Sequence, residues 1–249
     1  MGLLDGKAAL VTGGSSGIGQ AIAAAFGHEG CRVAISGRRP DALAAAAKEI
    51  GSDTLTIVGD VADPDHHIVA AERVAERFGR IDIYVANAGI NTIQHTSDVS
   101  LADYDRQFAT NARGIFFGVK AMSPILRDGG AIILVGSLAS EKVLAGHAVY
   151  AGTKAAIGAF ARNWAVEFKD RGIRVNVLSP GPTDTAILEK LGVPPEDREA
   201  FEAGMAAGIP LGRFGKPEEL ASAALFLASP AASFITGINL RVDGGMALL

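Results

Sequence analysis

The sequence TGGSSGIG, residues 12–19, decides the fold of this chain. It follows the apolar run Ala8–Val11 and opens a stretch rich in alanine, which favours a helix. Glycines let backbone amides approach a phosphate closely, and a helix N-terminus adds partial positive charge. The spacing GxxxGxG predicts that Gly13 makes the tight turn, Gly17 admits the phosphate and Gly19 lets the helix pack near the strand. The residues expected to contact a pyrophosphate are Gly13, Ser15, Ser16, Gly17, Ile18 and Gly19.

Short apolar runs alternate with helix-like segments along the rest of the chain. Several runs are continuously apolar, as in parallel strands that are covered on both faces. Strands alternating with helices imply βαβ units with right-handed crossovers. We therefore expect one α/β domain over residues 1–249, with a doubly wound, seven-stranded parallel sheet and helices on both faces. The predicted strands are Ala8–Val11, Val33–Ile35, Leu55–Val58, Ile81–Val85, Ile132–Val135, Val175–Leu178 and Ile238–Val242. The main predicted helices cover residues 17–29, 41–50, 63–78, 101–125 and 150–170.

The segment from Pro180 to Pro217 departs from this alternation of strands and helices, because it is long and contains several prolines. Connections of this length inside a compact domain are usually functional. We predict a substrate lid at about residues 183–215. Its apolar residues are Leu188, Leu191, Val193, Phe201, Met205, Ile209 and Phe214.

Composition excludes several classes of protein. With 249 residues, 49% of them hydrophobic, the chain can bury a large core. A net charge of −4 without a basic stripe gives no reason to expect a nucleic-acid partner. We find no signal peptide and no apolar stretch of membrane-spanning length, so we expect a cytoplasmic protein without a membrane partner. Cys31 is expected to be a buried, unreactive thiol. The five histidines lack metal-ligand spacing, so no metal is expected, and His66 and His67 are expected to face solvent.

Two further elements carry residues suited to acid–base chemistry. Ser137 follows the predicted strand Ile132–Val135, at the carboxyl edge where open α/β sheets bind ligands. Tyr150 and Lys154 are four residues apart and so share one helix face. A free tyrosine is a poor base near neutrality, and a nearby positive charge lowers its pKa. Ser137 is able to hold a substrate oxygen toward Tyr150, and His147 is a candidate substrate contact.

The order of these motifs resembles the short-chain dehydrogenase/reductase family, and bacterial NADPH-dependent alcohol dehydrogenases and carbonyl reductases in particular. The resemblance covers nearly the whole chain, from the glycine turn through Asn87-Ala88-Gly89 to Ser137 and Tyr-x-x-x-Lys. It implies a Rossmann fold and hydride transfer between a dinucleotide and an alcohol/carbonyl pair.

The resemblance also implies individual roles. Tyr150 is the general acid in reduction and the base in oxidation. Lys154 binds the nicotinamide ribose and lowers the pKa of Tyr150, while Ser137 orients the carbonyl oxygen. Asn111 holds a water that links the lysine to solvent. The remaining residues implied for cofactor binding are Asp60, Val61, Asn87, Ala88, Gly89, Pro180, Gly181, Thr183 and Thr185.

The end of the second predicted strand bears on the choice of dinucleotide. NAD-dependent members place an aspartate where this chain has Gly37, and Arg38 and Arg39 follow. A guanidinium binds a phosphate through two hydrogen bonds, which favours NADP(H). If Arg38 only stacks on the adenine while Arg39 is solvated, NAD(H) is used as well.

The substrate is less well determined. Val143, Leu144 and Met205 are expected to line a mainly apolar pocket together with Ser137 and Tyr150, which favours a hydrophobic ketone or secondary alcohol. A 3-oxoacyl thioester of an acyl carrier protein is the alternative substrate. A non-catalytic dinucleotide sensor is the alternative of another class, although Ser137, Tyr150 and Lys154 argue against it. The resemblance also implies a homotetramer.

Overall fold

A computed structural model describes residues 2–185, 194 and 198–249. Its strands form one seven-stranded sheet in which every pairing is parallel, in the order β3-β2-β1-β4-β5-β6-β7. The strands are β1 Ala8–Thr12, β2 Arg32–Gly37, β3 Leu55–Val58, β4 Ile81–Ala86, β5 Leu126–Val135, β6 Arg174–Pro180 and β7 Asn239–Val242. The predicted seven-stranded parallel sheet is confirmed.

Helices cover both faces of the sheet, as a doubly wound fold requires. They are α1 Gly17–His28, α2 Pro40–Ile50, α3 Pro64–Phe78, α4 Leu101–Phe108, α5 Gly114–Met122, α6 Ala148–Glu167, α7 Arg198–Ala207 and α8 Pro217–Ala228. Apolar residues of α1, α2 and α8 form one core, and those of α3, α5 and α6 form the other. The strand order indicates where a ligand would bind. β1 lies between β2 and β4, so the order of the strands along the sheet reverses between β1 and β4. In open α/β sheets, ligands bind at such a switch point, beyond the carboxyl ends of the strands.

The predicted helix over residues 101–125 is not regular. It divides into α4, a π-helical turn at Ala109–Arg113 and α5. The turn holds Asn111 fully buried, where its side chain bonds to another segment of the chain. Single π-turns inside α-helices occur often at functional sites. β5 also begins at Leu126, earlier than predicted, because the residues that follow Leu126, Arg127-Asp128-Gly129-Gly130, interrupt the apolar run.

The base of the predicted lid is fixed to the sheet edge. Thr183 and Gly215 form a parallel β-bridge, and Asp184 N donates to Gly215 O at 2.8 Å. The two ends of the segment therefore lie side by side. This arrangement suits the predicted lid. Of the predicted lid residues, Leu188, Leu191 and Val193 lie outside the described residues.

His66 and His67 do not face solvent, so this prediction is wrong. Both are buried, with 7% and 2% of their surface exposed. The cause is the register of α3, in which His67 shares the core face with Ala70, Val74 and Phe78 at helical spacing. The position of the pair after Asp65 suggested a solvated first turn and hid this periodicity.

This buried pair predicts that the protein loses stability in mild acid. Burial lowers the pKa of His66 and of His67, although nearby Asp60 and Asp63 oppose that shift for His66, and Asp63 and the His67–Val61 hydrogen bond oppose it for His67. Below the ordinary value of 6.5, unfolded chains take up protons that the folded chain resists. The free energy of unfolding should therefore fall as the pH drops below 6.5. Above pH 6.5 these two histidines should not make it depend on pH.

Urea unfolding at a series of pH values measures the effect. In the wild type, His67 Nε2 lies 2.9 Å from Val61 O. His67→Gln keeps a side-chain N–H that can donate to Val61 O, but its side chain does not titrate. The slope of stability against pH should be shallower in this variant. An identical slope in both proteins would show that His67 does not cause the acid sensitivity.

One other expectation, the burial of Cys31, is met in the described part of the chain. Cys31 is buried, and burial raises the pKa of its thiol to about 12, which keeps it protonated and unreactive. Among the described helices, none is long and apolar enough to cross a bilayer. No group of three potential metal-binding side chains occurs within residues 2–185 and 198–249.

Candidate active site

The glycine turn has the geometry that its sequence predicts. Gly13 and Gly17 have φ of +66° and +54°, a left-handed conformation that side chains disfavour. A Cβ at Gly19 would lie 2.3 Å from Gly13 O and 2.4 Å from Asn87 Nδ2. Gly19 therefore lets α1 pack against the ends of β1 and β4.

The turn also fits a pyrophosphate. The side chain of Ser16, the N-cap of α1, makes no capping bond within the described chain, and the first turn carries no acidic residue. A Cβ at Gly17 would meet nothing closer than Thr185 Cγ2 at 3.4 Å. Small side chains, backbone amides and the helix N-terminus thus surround a space that accepts an anion. Thr185 lies across this space, as the resemblance implies for a phosphate contact.

Thr12 is a structural residue of the site that sequence reasoning missed. Its Oγ1 accepts from Asn87 N at 3.0 Å and from Ala88 N at 3.1 Å. In return Asn87 Nδ2 donates to Thr12 O at 2.9 Å and to Gly13 O at 3.3 Å. These bonds join the turn after β1 to the Asn87-Ala88-Gly89 turn after β4. The signal available in the sequence was a threonine at a strand end, which is too common to single out.

Thr12→Val should loosen this connection between the two turns. Valine has nearly the same shape but leaves the amides of Asn87 and Ala88 without their acceptor, a cost of about 1–3 kcal/mol. We expect a lower free energy of unfolding and weaker dinucleotide binding, measured by denaturation and by fluorescence titration. Thr12→Ser, which keeps Oγ1, is the matched control and should stay close to the wild type. Equal losses in both variants would assign the effect to packing.

Ser137, Tyr150 and Lys154 come together at the carboxyl edge, beyond β5. Ser137 Oγ accepts from Ala139 N at 3.1 Å, which fixes the side chain and leaves its hydroxyl proton to donate. Lys154 is buried, and its Nζ lies 5.7 Å from the centre of the Tyr150 ring. Lys154 Nζ also donates to Val135 O at 2.8 Å. The hydroxyl, the phenol and the ammonium group therefore face one region.

The pKa values of this group follow from burial. Burial raises the pKa of Tyr150, and hydrogen bonding by Ser137 opposes that rise. Burial lowers the pKa of Lys154 to about 8. Removal of the phenol from water therefore raises the pKa of Tyr150 more than the hydrogen bond to Ser137 lowers it, and the lowering of this pKa by Lys154 stays a prediction. A protonated Tyr150 is the form that donates a proton in a reduction.

Asn111 is tied into the same group through Thr153. Asn111 Oδ1 accepts from Ile90 N and its Nδ2 donates to Ile90 O, both at 2.8 Å. Its Nδ2 also donates to Thr153 Oγ1 at 3.1 Å, and Thr153 Oγ1 donates to Tyr150 O at 2.7 Å. The Asn111 side chain therefore holds the backbone of Ile90 and the side chain of Thr153 together. Gly89 lies beside it, where a Cβ would come within 3.4 Å of Lys154 Nζ and crowd the ammonium group.

The other end of the crevice carries Arg38 and Asp60. Arg38 Nη1 lies 3.9 Å from Asp60 Oδ2, and the arginine side chain is 69% exposed. Asp60 Oδ1 accepts from Ala62 N at 2.9 Å, while the side chain of Asp63 caps α3 by accepting from Asp65 N. Val61 follows Asp60 and is buried. Arg39, the N-cap of α2, is exposed.

Pro180, Gly181 and Thr183 lie at the carboxyl end of β6. Gly181 N donates to Val242 O at 3.0 Å, and a Cβ at Gly181 would lie 2.6 Å from Asp243 Cα. Thr183 is buried, and its Oγ1 donates to Gly181 O at 3.0 Å. The turn after β6 is therefore held closely against the end of β7.

A cavity of about 380 Å³ adjoins the start of α6. Val143, Leu144 and His147 line it, with Val143 95% exposed at its rim. Met205 lies half-buried in α7 and does not line this cavity in the described chain. Val143 and Leu144 thus line a cavity at the start of α6, whereas Met205 does not, and their contact with substrate stays a prediction.

A parallel sheet with an anion-binding turn and a serine–tyrosine–lysine group at one edge defines a dinucleotide-dependent oxidoreductase. A profile of the family described as enoyl-(acyl carrier protein) reductase matches residues 13–247. The chain belongs to the short-chain dehydrogenase/reductase family. Members of this family use NAD(P)(H) and act on CH–OH and C=O groups.

Similar proteins have several different activities. A versicolorin reductase of Emericella nidulans is 40% identical, over 97% of this chain and 96% of its own length. A D-threitol dehydrogenase of Mycolicibacterium smegmatis is 39% identical, over 98% and 94%. A solved short-chain dehydrogenase/reductase of Serratia marcescens is 36% identical with a TM-score of 0.92, covering 98% of this chain and 99% of that one.

Proposed function

We propose that this protein transfers a hydride between NADP(H) and an alcohol/carbonyl pair, with an apolar ketone or secondary alcohol as substrate. The observation that carries the proposal is the convergence of Ser137, Tyr150 and Lys154 beside the glycine turn. A dinucleotide sensor would not need a serine, a tyrosine and a lysine to converge in this way. Their retention therefore favours an enzyme.

The nicotinamide, when bound, supplies the hydride in reduction and accepts it in oxidation. Ser137 donates a hydrogen bond to the substrate carbonyl oxygen and holds it toward Tyr150. The Tyr150 phenol donates its proton to that oxygen as the C=O group becomes CH–OH. Lys154, protonated below a pKa of about 8, stabilises the phenolate that remains and binds the ribose. In oxidation the same groups act in reverse, with the phenolate as base.

Arg38 supports the choice of NADP(H). Its guanidinium is largely exposed, and among the described residues its one ion-pair partner is Asp60 at 3.9 Å, so it is available to a phosphate. Ser15 Oγ lies 3.4 Å from the Cβ position of Gly37, which adds a hydroxyl to the same corner. A ribose 2′-phosphate suits this combination of a cation and a small polar side chain.

A 3-oxoacyl thioester is a second candidate substrate, favoured by the description of the family that matches residues 13–247. Three basic residues that an acyl carrier protein would contact are partly engaged elsewhere. Arg113 donates to Ala62 O, Arg127 faces Asp82, and Lys120 lies over the ring of Phe117. These contacts make a carrier-protein docking site less favoured than a small free substrate.

The lid and the assembly belong to the same proposal. The segment over about residues 183–215 closes on the substrate, with its ends held by the Thr183–Gly215 bridge. The chain acts in the cytoplasm as a homotetramer, paired partly through α5 and α6. Phe116 supports this pairing, because it is 42% exposed and contacts the rings of Phe160 and Trp164. Sedimentation of the wild type and of Phe116→Glu tests the assembly.

The proposed activity is tested by following nicotinamide absorbance with NADPH or NADH against apolar ketones and a 3-oxoacyl thioester. Fast oxidation of NADPH with a ketone supports the proposal. Turnover with the thioester alone would move the protein to acyl chemistry. Absence of turnover with every substrate, despite dinucleotide binding, would favour the sensor.

A further inference from the structure

His147 lies beside the catalytic tyrosine but is not required by the reaction described above. Its ring lies edge-on to that of Tyr150, with the ring centres 6.1 Å apart. It also lines the 380 Å³ cavity that adjoins the start of α6. A substrate carbonyl held at Tyr150 therefore brings its neighbouring atoms toward this imidazole.

The hydrogen bonding of His147 determines what its free nitrogen offers. Nδ1 lies 2.8 Å from Ala145 O. A carbonyl oxygen only accepts, so Nδ1 carries a proton, and in a ring that carries this one proton Nε2 is an acceptor. Within the described residues, no protein group donates to Nε2. The cavity wall thus presents one acceptor nitrogen next to Tyr150.

The backbone around His147 holds that acceptor in place. Gln94 N donates to Gly146 O at 2.9 Å, and Ala151 N donates to His147 O at 2.7 Å. A Cβ at Gly146 would lie 2.8 Å from Ile93 Cγ2, so the loop before α6 packs closely on the loop after β4. A fixed acceptor costs a ligand less ordering entropy than a mobile one.

The charged groups of the cavity are engaged away from it. Glu141 accepts from Asn239 Nδ2 at 2.8 Å and pairs with Arg241, while Lys142 bonds to Leu249 O. The rest of the lining near Tyr150 includes Ala139, Leu144, Ala148 and Ala151. Gln94, His95, Thr96 and Ser140 also line the cavity, so its wall combines apolar and polar groups with the acceptor nitrogen of His147.

We infer that His147 is a specificity-determining residue that accepts a hydrogen bond from a hydroxyl next to the reacting carbonyl. The preferred substrate class is an apolar α-hydroxy ketone or the corresponding vicinal diol. This inference rests on the proposed function and narrows its substrate.

Two ketones of nearly equal shape test the inference. Phenacyl alcohol carries a hydroxyl where propiophenone carries a methyl group. With NADPH as the reductant, wild-type kcat/KM should be higher for phenacyl alcohol. His147→Leu should lower that value about tenfold and hardly change the value for propiophenone. His147→Gln, whose amide oxygen reaches the position of Nε2, should recover part of the loss.

The outcomes separate the inference from the proposed function. If the wild type reduces both ketones equally well, or if His147→Leu lowers both values alike, the inference is overturned while the reductase activity stands. If neither ketone nor any other carbonyl compound oxidises NADPH, the proposed function itself fails.

Discussion

Tyr150→Phe should abolish most of the turnover of this protein while leaving dinucleotide binding nearly intact. The change removes one oxygen atom, and with it the proton donor for the substrate carbonyl. General acid–base catalysis contributes about 10²–10⁴-fold, so kcat should fall by a factor in this range. The Thr153–Tyr150 bond uses the backbone carbonyl, so the helix start survives the substitution. Ketone-dependent NADPH oxidation and fluorescence titration measure the two effects.

The chain offers a matched control for this substitution. Tyr104 is 45% exposed, stacks on Phe108 and lies in α4. Tyr104→Phe removes the same atom elsewhere and should retain wild-type turnover. Full activity of Tyr150→Phe would show that another group donates the proton, and the assigned mechanism would be wrong. A parallel loss of NADPH affinity would instead indicate that Tyr150 holds the dinucleotide.

The parts of this fold that sequence predicts well are those governed by local patterns. Continuous apolar runs identified the strands, because strands buried on both faces need no alternation. The tight turn at Gly13 and the close packing at Gly19 were predicted, since both depend on a short stretch of sequence, and the phosphate role of Gly17 stays a prediction. Tyr150 and Lys154 were paired because helical spacing is local as well.

Contacts between distant segments were not predictable in the same way. The Thr12–Asn87 connection joins residues 75 apart, and no local pattern marks it. The π-turn around Asn111 depends on bonds to Ile90 and Thr153, which lie on other elements. The pKa of Tyr150 depends on how far the fold removes the phenol from water, a property of packing rather than of spacing.

Arg38→Ala should weaken the use of NADPH without affecting NADH. Hydrogen bonds to charged groups contribute about 1.5–3 kcal/mol each, so loss of the guanidinium should lower kcat/KM for NADPH about 10–100-fold. Arg39→Ala is the control, because Arg39 is the exposed neighbour at the start of α2. Equal losses with NADPH and NADH would mean that Arg38 contacts only the adenine, the alternative considered from the sequence.

Gly37→Asp tests the same corner in the opposite direction, by adding the carboxylate that NAD-dependent relatives carry. Gly37 does not have a positive φ, and its Cβ would meet nothing closer than Ser15 Oγ at 3.4 Å. The backbone therefore accepts a side chain at this position without strain. An aspartate there would repel a 2′-phosphate and accept hydrogen bonds from ribose hydroxyls, so the ratio of NADPH to NADH efficiency should fall more than in Arg38→Ala. Gly37→Ala, which adds the Cβ alone, should keep the wild-type ratio. If Gly37→Asp keeps it too, the phosphate does not approach this corner, and the choice of NADP(H) must rest on other residues.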